Sequence, residues 1–300
     1  MRKSVGMIDD LKADVAPIVA GAATYSDIPY INDGIEWHML DVYTPTSFDG
    51  TLPTVVYVHG GGWSTSDKKH FRHFCQSIAA GGYAVFSINY RLAPEYQHPA
   101  QLLDVLSAMA WVKSHAGEYR ADPARVFLFG DSSGAHLASL AACVCTNSRL
   151  EEFYNVAAPF HKEDLYGCIL FCGPYDIQSS VKTQFPFIKD YVWALLGIRN
   201  PTRYPDIDQL SVIKNITSDY PPCLISDSVQ DELIEESRTL IKTLDENGIE
   251  HKDLLFDDVG NATFHDYQVQ YDEPIFQTCM EESLAFLEEY SKQRQYSMKP

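Results

Sequence analysis

The alternation of short apolar runs with segments of helical period constrains the fold of this chain most strongly. The apolar runs are residues 54–58, 83–88, 125–129, 168–172, 223–225 and 253–256. Because these runs are apolar at successive positions and do not alternate with polar residues, they suit strands that are buried on both faces, as in a parallel sheet. Helical spacing between them, as at Leu102, Leu106 and Met109, predicts an α/β fold with a doubly wound sheet.

Three segments depart from this alternation. Residues 36–43 alternate in polarity, which predicts an antiparallel strand at the edge of the sheet. Residues 1–32 and 177–210 fit neither pattern, and we expect both to form a small cap over one end of the sheet. No linker or repeat divides the chain, so we predict a single domain over residues 1–300.

Composition and charge narrow the class of protein. With 45% hydrophobic and 12% aromatic residues the chain has ample material for a core. A net charge of −18 argues against nucleic acid and against anionic membranes as partners. The first residues lack the apolar stretch of a signal peptide, no window suits a membrane span, and the seven cysteines lie mostly in apolar runs. We therefore expect a soluble, cytoplasmic protein with reduced cysteines.

The sequence Gly130-Asp131-Ser132-Ser133-Gly134 follows the third apolar run and precedes a small-residue helical segment. This is the G-x-S-x-G pattern between strand and helix, where a tight turn exposes the serine above a helix N-terminus. Ser132 is therefore the candidate nucleophile, because the pattern is specific in this context although it is common in isolation.

A glycine-rich loop, His59-Gly60-Gly61-Gly62-Trp63, follows the first apolar run. Successive glycines allow backbone N–H groups to converge on a developing oxyanion, and the loop opens at the carboxyl end of a strand, where ligands bind. Trp63 lies beside this loop and is a candidate substrate-binding residue.

A nucleophilic serine needs a histidine base and an orienting acid, in the chain order serine, acid, histidine. His265 is the candidate base, because it follows the last strand in a polar loop, whereas His136 lies on the nucleophile's own helix. Asp227 and Asp231 both follow residues 223–225 and both remain candidates for the acid. A metal site is not expected, because Cys143 and Cys145 share a helix with no histidine pair nearby.

The chain resembles the hormone-sensitive-lipase-like branch of the α/β-hydrolase superfamily, and also bacterial esterases of the kynurenine-formamidase-like type. The resemblance covers about residue 35 to the C-terminus. It rests on the His-Gly-Gly-Gly-Trp loop, Asn-Tyr-Arg-Leu-Ala-Pro-Glu at residues 89–95, Asp-Pro-Ala-Arg-Val at 122–126, the serine turn and Pro221-Pro222-Cys223-Leu224.

The resemblance implies an α/β-hydrolase fold and selects Asp231 as the acid, since the acid follows the Pro-Pro pair at a fixed spacing. It implies that the backbone N–H groups of Gly61, Gly62 and Ser133 donate hydrogen bonds to the oxyanion. Two stretches depart from the pattern: Ser133-Gly134-Ala135 replaces Ala-Gly-Gly, and Phe-His-Asp-Tyr at residues 264–267 replaces His-Gly-Phe, so substrate preference does not carry over.

We therefore predict a serine carboxylic-ester hydrolase that acts on small, short-acyl esters through an acyl-enzyme and needs no cofactor. The partner is a small-molecule ester. Two alternatives stay open: an amide or formamide hydrolase with the same three residues, and a non-catalytic ligand-binding module on the same fold.

Overall fold

The chain folds around one eight-stranded sheet, described by a computed structural model that covers residues 16–257 and 264–297. The strands are β1 Ala22–Pro29, β2 Met39–Pro45, β3 Leu52–Val58, β4 Ala84–Ile88, β5 Ala121–Asp131, β6 Leu165–Phe171, β7 Cys223–Ser228 and β8 His251–Phe256.

The strand order is β1-β2-β4-β3-β5-β6-β7-β8. Strands β1 and β2 pair antiparallel, as do β2 and β4, and all the other pairs are parallel. Among the parallel strands the chain goes from β3 outward to β4 on one side and from β5 outward through β6 and β7 to β8 on the other, which is the arrangement of a doubly wound sheet. The predicted fold class is confirmed.

Helices cover both faces of the sheet. The α-helices are α1 Arg72–Ala80, α2 Ala100–His115, α3 Ser133–Thr146, α4 Ser148–Tyr154, α5 Ile177–Ser180, α6 Ile188–Leu196, α7 Ile207–Leu210, α8 Val212–Asn215, α9 Ile234–Asn247 and α10 Pro274–Ser297. Short 3-10 helices occupy Lys68–Phe71, Ala116–Tyr119, Pro201–Arg203 and Tyr267–Val269.

Two hydrophobic cores, one on each face, explain why the central strands are continuously apolar. In β5, Phe127 and Phe129 point to the core that contains α1 and α10. The neighbouring Val126 and Leu128 point to the other core, which contains α2, α3 and α9. Successive side chains of a strand face opposite sides, so a strand that is covered on both sides needs an apolar residue at every position.

The N-terminal prediction needs correction. Residues 1–15 of the expected cap (1–32) lie outside the described residues, but Ala22–Pro29 form β1, the edge strand of the sheet, and not a cap. Because β1 lies outside β2, the antiparallel strand predicted at residues 36–43 is second from the edge. The pattern did not reveal β1 because most of its side chains are exposed, so no apolar alternation marks it.

The predicted insertion at residues 177–210 is a set of short helices, α5, α6 and α7 with one 3-10 turn. Asp176 accepts a hydrogen bond from Gln178 N–H as the N-cap of α5, and Asn200 caps the 3-10 turn in the same way. Helix α6 turns Val192 and Leu195 inward, which anchors the insertion to the core. Within the described part of the chain, no helix has both the length and the apolar character needed to cross a membrane.

Candidate active site

Ser132 occupies a sharp turn between β5 and α3. Its backbone has φ 50° and ψ −124°, a strained conformation for a residue with a side chain. The turn is held by the Ser132 N–H, which donates to the carbonyl of Phe171 at 2.7 Å. This strain places Ser132 Oγ at the floor of a cavity above the carboxyl end of the central strand.

The turn also requires close approach of two backbone segments at Gly134. A Cβ added there would lie 2.1 Å from the carbonyl oxygen of Val58 and 2.5 Å from that of His59. Any side chain at this position would therefore push helix α3 away from β3, which explains the second glycine of the G-x-S-x-G pattern.

We expect Gly134→Ala to lower the free energy of unfolding by about 2 kcal/mol or more, because overpacked sites cost about 1–3 kcal/mol. Urea denaturation would measure the loss. Gly117→Ala is the matched control, since a Cβ at Gly117 meets nothing within 4 Å, and it should change stability by less than about 0.5 kcal/mol. Equal stability of the two variants would contradict the close-approach explanation.

The three residues predicted for acyl transfer form one hydrogen-bonded chain. His265 Nε2 lies 2.7 Å from Ser132 Oγ, and His265 Nδ1 donates to Asp231 Oδ2 at 2.6 Å. The residues come from different parts of the sheet: Ser132 follows β5, Asp231 follows β7, and His265 follows β8. The distances suit proton transfer from the serine hydroxyl to the imidazole.

Asp227 and Asp231 differ in what their carboxylates contact. Asp231 is 2% exposed; its Oδ1 accepts from Leu233 N–H at 2.8 Å, which leaves Oδ2 for His265. Asp227 accepts instead from Ser237 Oγ and from its neighbour Ser228 N–H. Burial, with a further contribution from the Asp231 carboxylate, raises the pKa of Asp227 to about 7. In the structure, Asp231 is therefore hydrogen-bonded to the histidine, whereas Asp227 is hydrogen-bonded to Ser228 and Ser237.

Charge around His265 favours the imidazolium. Burial lowers the pKa of His265, but the carboxylates of Asp266 and Asp231 more than offset this and raise it to about 10. Asp266 Oδ1 lies 3.6 Å from Nε2, on the side of the ring that faces Ser132. A base must be neutral to accept a proton, so a raised pKa shifts the active form toward alkaline pH.

The glycine-rich loop forms one wall of the cavity. Gly61, Gly62 and Ser133 all line it beside Ser132, and their N–H groups have no acceptor among the described residues. Gly62 has φ +58°, and a Cβ there would lie 2.5 Å from the ring of Tyr191 in α6. The loop is fixed from behind by Asp131, whose Oδ2 accepts from Gly60 N–H at 3.1 Å.

Trp63 lines the cavity yet is only 1% exposed. Its indole N–H donates to His136 Nδ1 at 3.3 Å, and His136 Nε2–H donates to the carbonyl of Leu210 at 2.8 Å. Burial lowers the pKa of His136 to about 4, so the ring is neutral and can accept at one nitrogen and donate at the other.

Sequence reasoning missed this role of His136, because it judged the residue only as a candidate base. The signal that could have found it is a histidine, the one ring-bearing polar side chain in a helix of otherwise small or apolar residues, since a buried polar group needs partners. His136 joins the glycine-rich loop to the insertion that contains Leu210.

The cavity has a volume of about 290 Å³. Its remaining lining is mostly apolar and includes Phe71, Phe74, Pro174, Phe185, Ile188, Tyr191, Leu233, Val269, Tyr271 and Phe276, together with polar residues such as His70, His73 and Gln270. No lysine or arginine is among the described lining residues. Phe185 packs edge-on to the His265 ring with centroids 4.5 Å apart.

Cys172 is a further side chain at the site. Its Sγ lies within 4.8 Å of ligand atoms of Asp231 and His265, the one such cluster among the described residues. Burial raises the pKa of the Cys172 thiol well above its usual range, and both ring nitrogens of His265 already have partners. A metal requires the thiolate and a free imidazole nitrogen, so this donor set suits a metal poorly.

Comparison with known proteins gives a consistent picture. The BD-FAE family model matches residues 40–244. The probable carboxylic ester hydrolase LipM of Mycobacterium tuberculosis (strain ATCC 25618 / H37Rv) is 31% identical over 215 residues, 69% of this chain and 48% of LipM. Esterase LipQ of the same organism is 28% identical over 231 residues, 73% of this chain and 51% of LipQ. The chain thus spans about half the length of these relatives.

Among solved structures, esterase B from Lactobacillus rhamnosis (HN001) superposes with a TM-score of 0.89 at 25% identity, over 98% of this chain and 94% of that one. That esterase has also been solved in a tributyrin-phosphonate-inhibited form, with a TM-score of 0.87, 25% identity and the same coverage. A family model that matches well over half of the chain, on a sheet that the esterase structure shares throughout, shows that this chain belongs to the BD-FAE family of α/β-hydrolases.

Proposed function

We propose that this protein is a serine carboxylic-ester hydrolase in which Ser132 is the nucleophile, His265 the base and Asp231 the acid. The observation that carries the proposal is the unbroken chain from Ser132 Oγ through His265 to Asp231, with spacings of 2.7 and 2.6 Å, at the floor of an apolar cavity. The proposal treats the chain as one domain, because the three residues meet only across one sheet.

In the first step His265 Nε2 takes the proton of Ser132 while Oγ attacks the ester carbonyl. The carbonyl oxygen becomes an oxyanion that accepts hydrogen bonds from the Gly61, Gly62 and Ser133 amides. Support for these donors comes from their lack of other acceptors among the described residues and from the position of Ser133 at the N-terminus of α3.

Collapse of the tetrahedral intermediate expels the alcohol, which takes its proton from the His265 imidazolium. Water then enters, His265 removes its proton, and the resulting attack releases the acid and restores Ser132. Throughout, Asp231 holds the imidazole with its Nδ1–H toward the carboxylate and stabilises the positive charge. Every proton transferred is held by a side chain of this protein, so the mechanism requires no cofactor.

Small, uncharged esters are the proposed substrates. A cavity of about 290 Å³ with mostly apolar walls and no lysine or arginine among its described lining offers space for a short acyl group and no permanently charged cation for an anionic one. Trp63 would form part of the wall beside the oxyanion. The names of LipM and LipQ and the tributyrin-phosphonate form of esterase B support ester chemistry and a short acyl group.

We also place the enzyme in the cytoplasm. All seven cysteines are unpaired and buried, which suits a reducing compartment.

We expect kcat/KM on p-nitrophenyl acetate and butyrate to exceed that on the decanoate at least about tenfold, because a long acyl chain must displace the packed insertion. A tenfold ratio corresponds to ~1.4 kcal/mol of transition-state stabilisation. Initial rates at matched alcohol, with only the acyl length varied, would measure it. A rate that rises through the decanoate would contradict the short-acyl assignment.

A second comparison distinguishes the ester hydrolase from its alternatives. Turnover of p-nitrophenyl butyrate is expected to exceed that of N-formylkynurenine, whose formamide bond would use the same three residues. A higher kcat/KM on the formamide would instead identify a formamide hydrolase. Absence of turnover on both, together with absence of serine labelling, would indicate a non-catalytic binding module.

A further inference from the structure

Asp266 lies beside His265 Nε2, the nitrogen that takes the proton of Ser132 in the proposed mechanism. Its Oδ1 is 3.6 Å from His265 Nε2, the same nitrogen that lies 2.7 Å from Ser132 Oγ. This oxygen is buried and accepts no hydrogen bond from the described residues, although the side chain as a whole is 36% exposed. A buried carboxylate oxygen without a donor is costly unless a positive charge faces it.

The backbone at Asp266 is suited to few residue types. Its φ of 61° lies in the left-handed region, which glycine adopts freely and which asparagine and aspartate tolerate better than other residues. The related pattern noted in the sequence has glycine after the histidine. An aspartate at this position therefore retains the backbone conformation and adds a carboxylate to the site.

Among the described residues, the other titratable groups near the His265 ring come from three neighbouring strands. They are Asp231 after β7, Asp227 in β7, Asp131 at the end of β5 and Cys172 after β6. Burial, with the Asp266 carboxylate as the next contribution, raises the pKa of Asp131 well above its usual range, which favours its protonated form. Burial likewise keeps the Cys172 thiol protonated.

Asp227 is the intermediate case, since its pKa of about 7 leaves it only partly charged at neutral pH. Asp231 and Asp266 are the two described carboxylates that lie against the imidazole, one at each ring nitrogen. The charge of Asp266 is the largest single cause that raises the pKa of His265, and Asp231 raises it through both its charge and its hydrogen bond.

We propose that Asp266 is a positioning residue: its carboxylate stabilises the His265 imidazolium at Nε2 and thereby sets the pH range in which His265 acts as a base. This inference rests on the proposed hydrolase function for its kinetic consequence but not for its electrostatic one. Asp266 Oδ1 makes no hydrogen bond to Ser132, so in this proposal its carboxylate acts through the histidine.

The test is the titration of His265 in the wild type and in Asp266→Asn. Removing an opposite charge within about 4–6 Å shifts a pKa by about 1–3 units, so the pKa of His265 should fall by at least about one unit. NMR of the imidazole resonances across pH, assigned with His265→Gln, measures this without any substrate. In kinetics, the acid limb of the kcat/KM profile should move to lower pH by the same amount.

The two pH profiles should also cross. At acidic pH the variant holds more neutral imidazole, whereas at high pH its weaker base makes it slower than the wild type. At acidic pH the larger fraction of neutral imidazole raises the rate by more than the weaker basicity lowers it, because the proton is only partly transferred in the transition state. A residue with a merely structural role would lower the whole profile without moving its limb.

Asp272→Asn is the matched control, because it removes the same charge from an exposed residue of the same segment. Asp266→Gly is the second variant, since glycine suits φ 61° and guards against a folding defect caused by asparagine. Both Asp266 variants should show the shift and Asp272→Asn should not.

An NMR-derived pKa that stays the same in Asp266→Asn and Asp266→Gly overturns the proposal, whatever the activity. If the wild type hydrolyses no ester, the proposed function fails, yet the NMR titration still decides the role of Asp266. If esters are hydrolysed and the acid limb does not move, the inference alone is wrong.

Discussion

Replacing Ser132 with alanine is expected to abolish ester turnover, with kcat falling by about 10⁴- to 10⁶-fold. The reason is geometric: among the described residues, Ser132 Oγ is the nucleophile that lies 2.7 Å from His265 Nε2 at the floor of the cavity and can form an acyl-enzyme. The alanine variant keeps the β5–α3 turn and the oxyanion amides, so only the weak catalysis of polarised water remains.

Covalent labelling by a fluorophosphonate provides a second readout. The wild type should gain one adduct by intact-mass spectrometry, located at Ser132 by peptide mapping, and Ser132→Ala should gain none. The burst of p-nitrophenol that reports an acyl-enzyme should disappear in the same variant. Ser133→Ala is the matched control, because its Oγ has no role in the mechanism while its backbone amide is retained.

Wild-type turnover in Ser132→Ala, or an adduct on another residue, would remove the basis of the proposed mechanism. Loss of labelling in Ser133→Ala as well would point to a disturbed turn, which circular dichroism and thermal unfolding would detect.

Asp231→Asn is expected to lower kcat by about 10⁴-fold, the effect of losing the acid that fixes the histidine tautomer. The asparagine amide can present an N–H to His265 Nδ1, which favours the tautomer whose Nε2 carries the proton and cannot act as a base. The change is isosteric, and the asparagine Oδ1 can still accept the hydrogen bond from Leu233 N–H. Folding should therefore be retained.

Asp227→Asn is the natural comparison, because Asp227 lies on the preceding strand and is equally buried. Its partners are Ser237 and Ser228, not His265. An asparagine can still accept from Ser228 N–H through its oxygen, and the Ser237 hydroxyl can turn to accept from its NH₂ group. We expect kcat within about tenfold of the wild type. Steady-state kinetics of both variants at one pH decide the matter, and a greater loss in Asp227→Asn would reverse the assignment.

The parts of the fold that sequence could predict are those where one pattern reports burial directly. Strand β5 was recognisable because Val126 and Leu128 face one core while Phe127 and Phe129 face the other. Strand β1 was not, since it has few buried side chains and takes its place through backbone pairing with β2, which leaves no apolar periodicity.

The same distinction applies to the site. Ser132 and Gly134 lie within one short motif whose backbone geometry dictates its residue types, so the sequence alone identifies them. Asp227 and Asp231 flank one turn, and from the residues alone either could serve; only the resemblance favoured one of them. The carboxylate of Asp266 acquires its role from a ring whose position depends on three separate strands, which local patterns do not encode.

The hydrogen bond from His136 to Leu210 affects which substitutions this protein can accept in the insertion. The bond ends on a main-chain carbonyl, so it persists whatever side chain occupies position 210. The insertion can therefore accumulate substitutions that reshape the cavity wall while the indole of Trp63 keeps its anchor. A change of substrate preference can thus arise from residues of the insertion that line the cavity, such as Ile188, while the bond that positions Trp63 is retained.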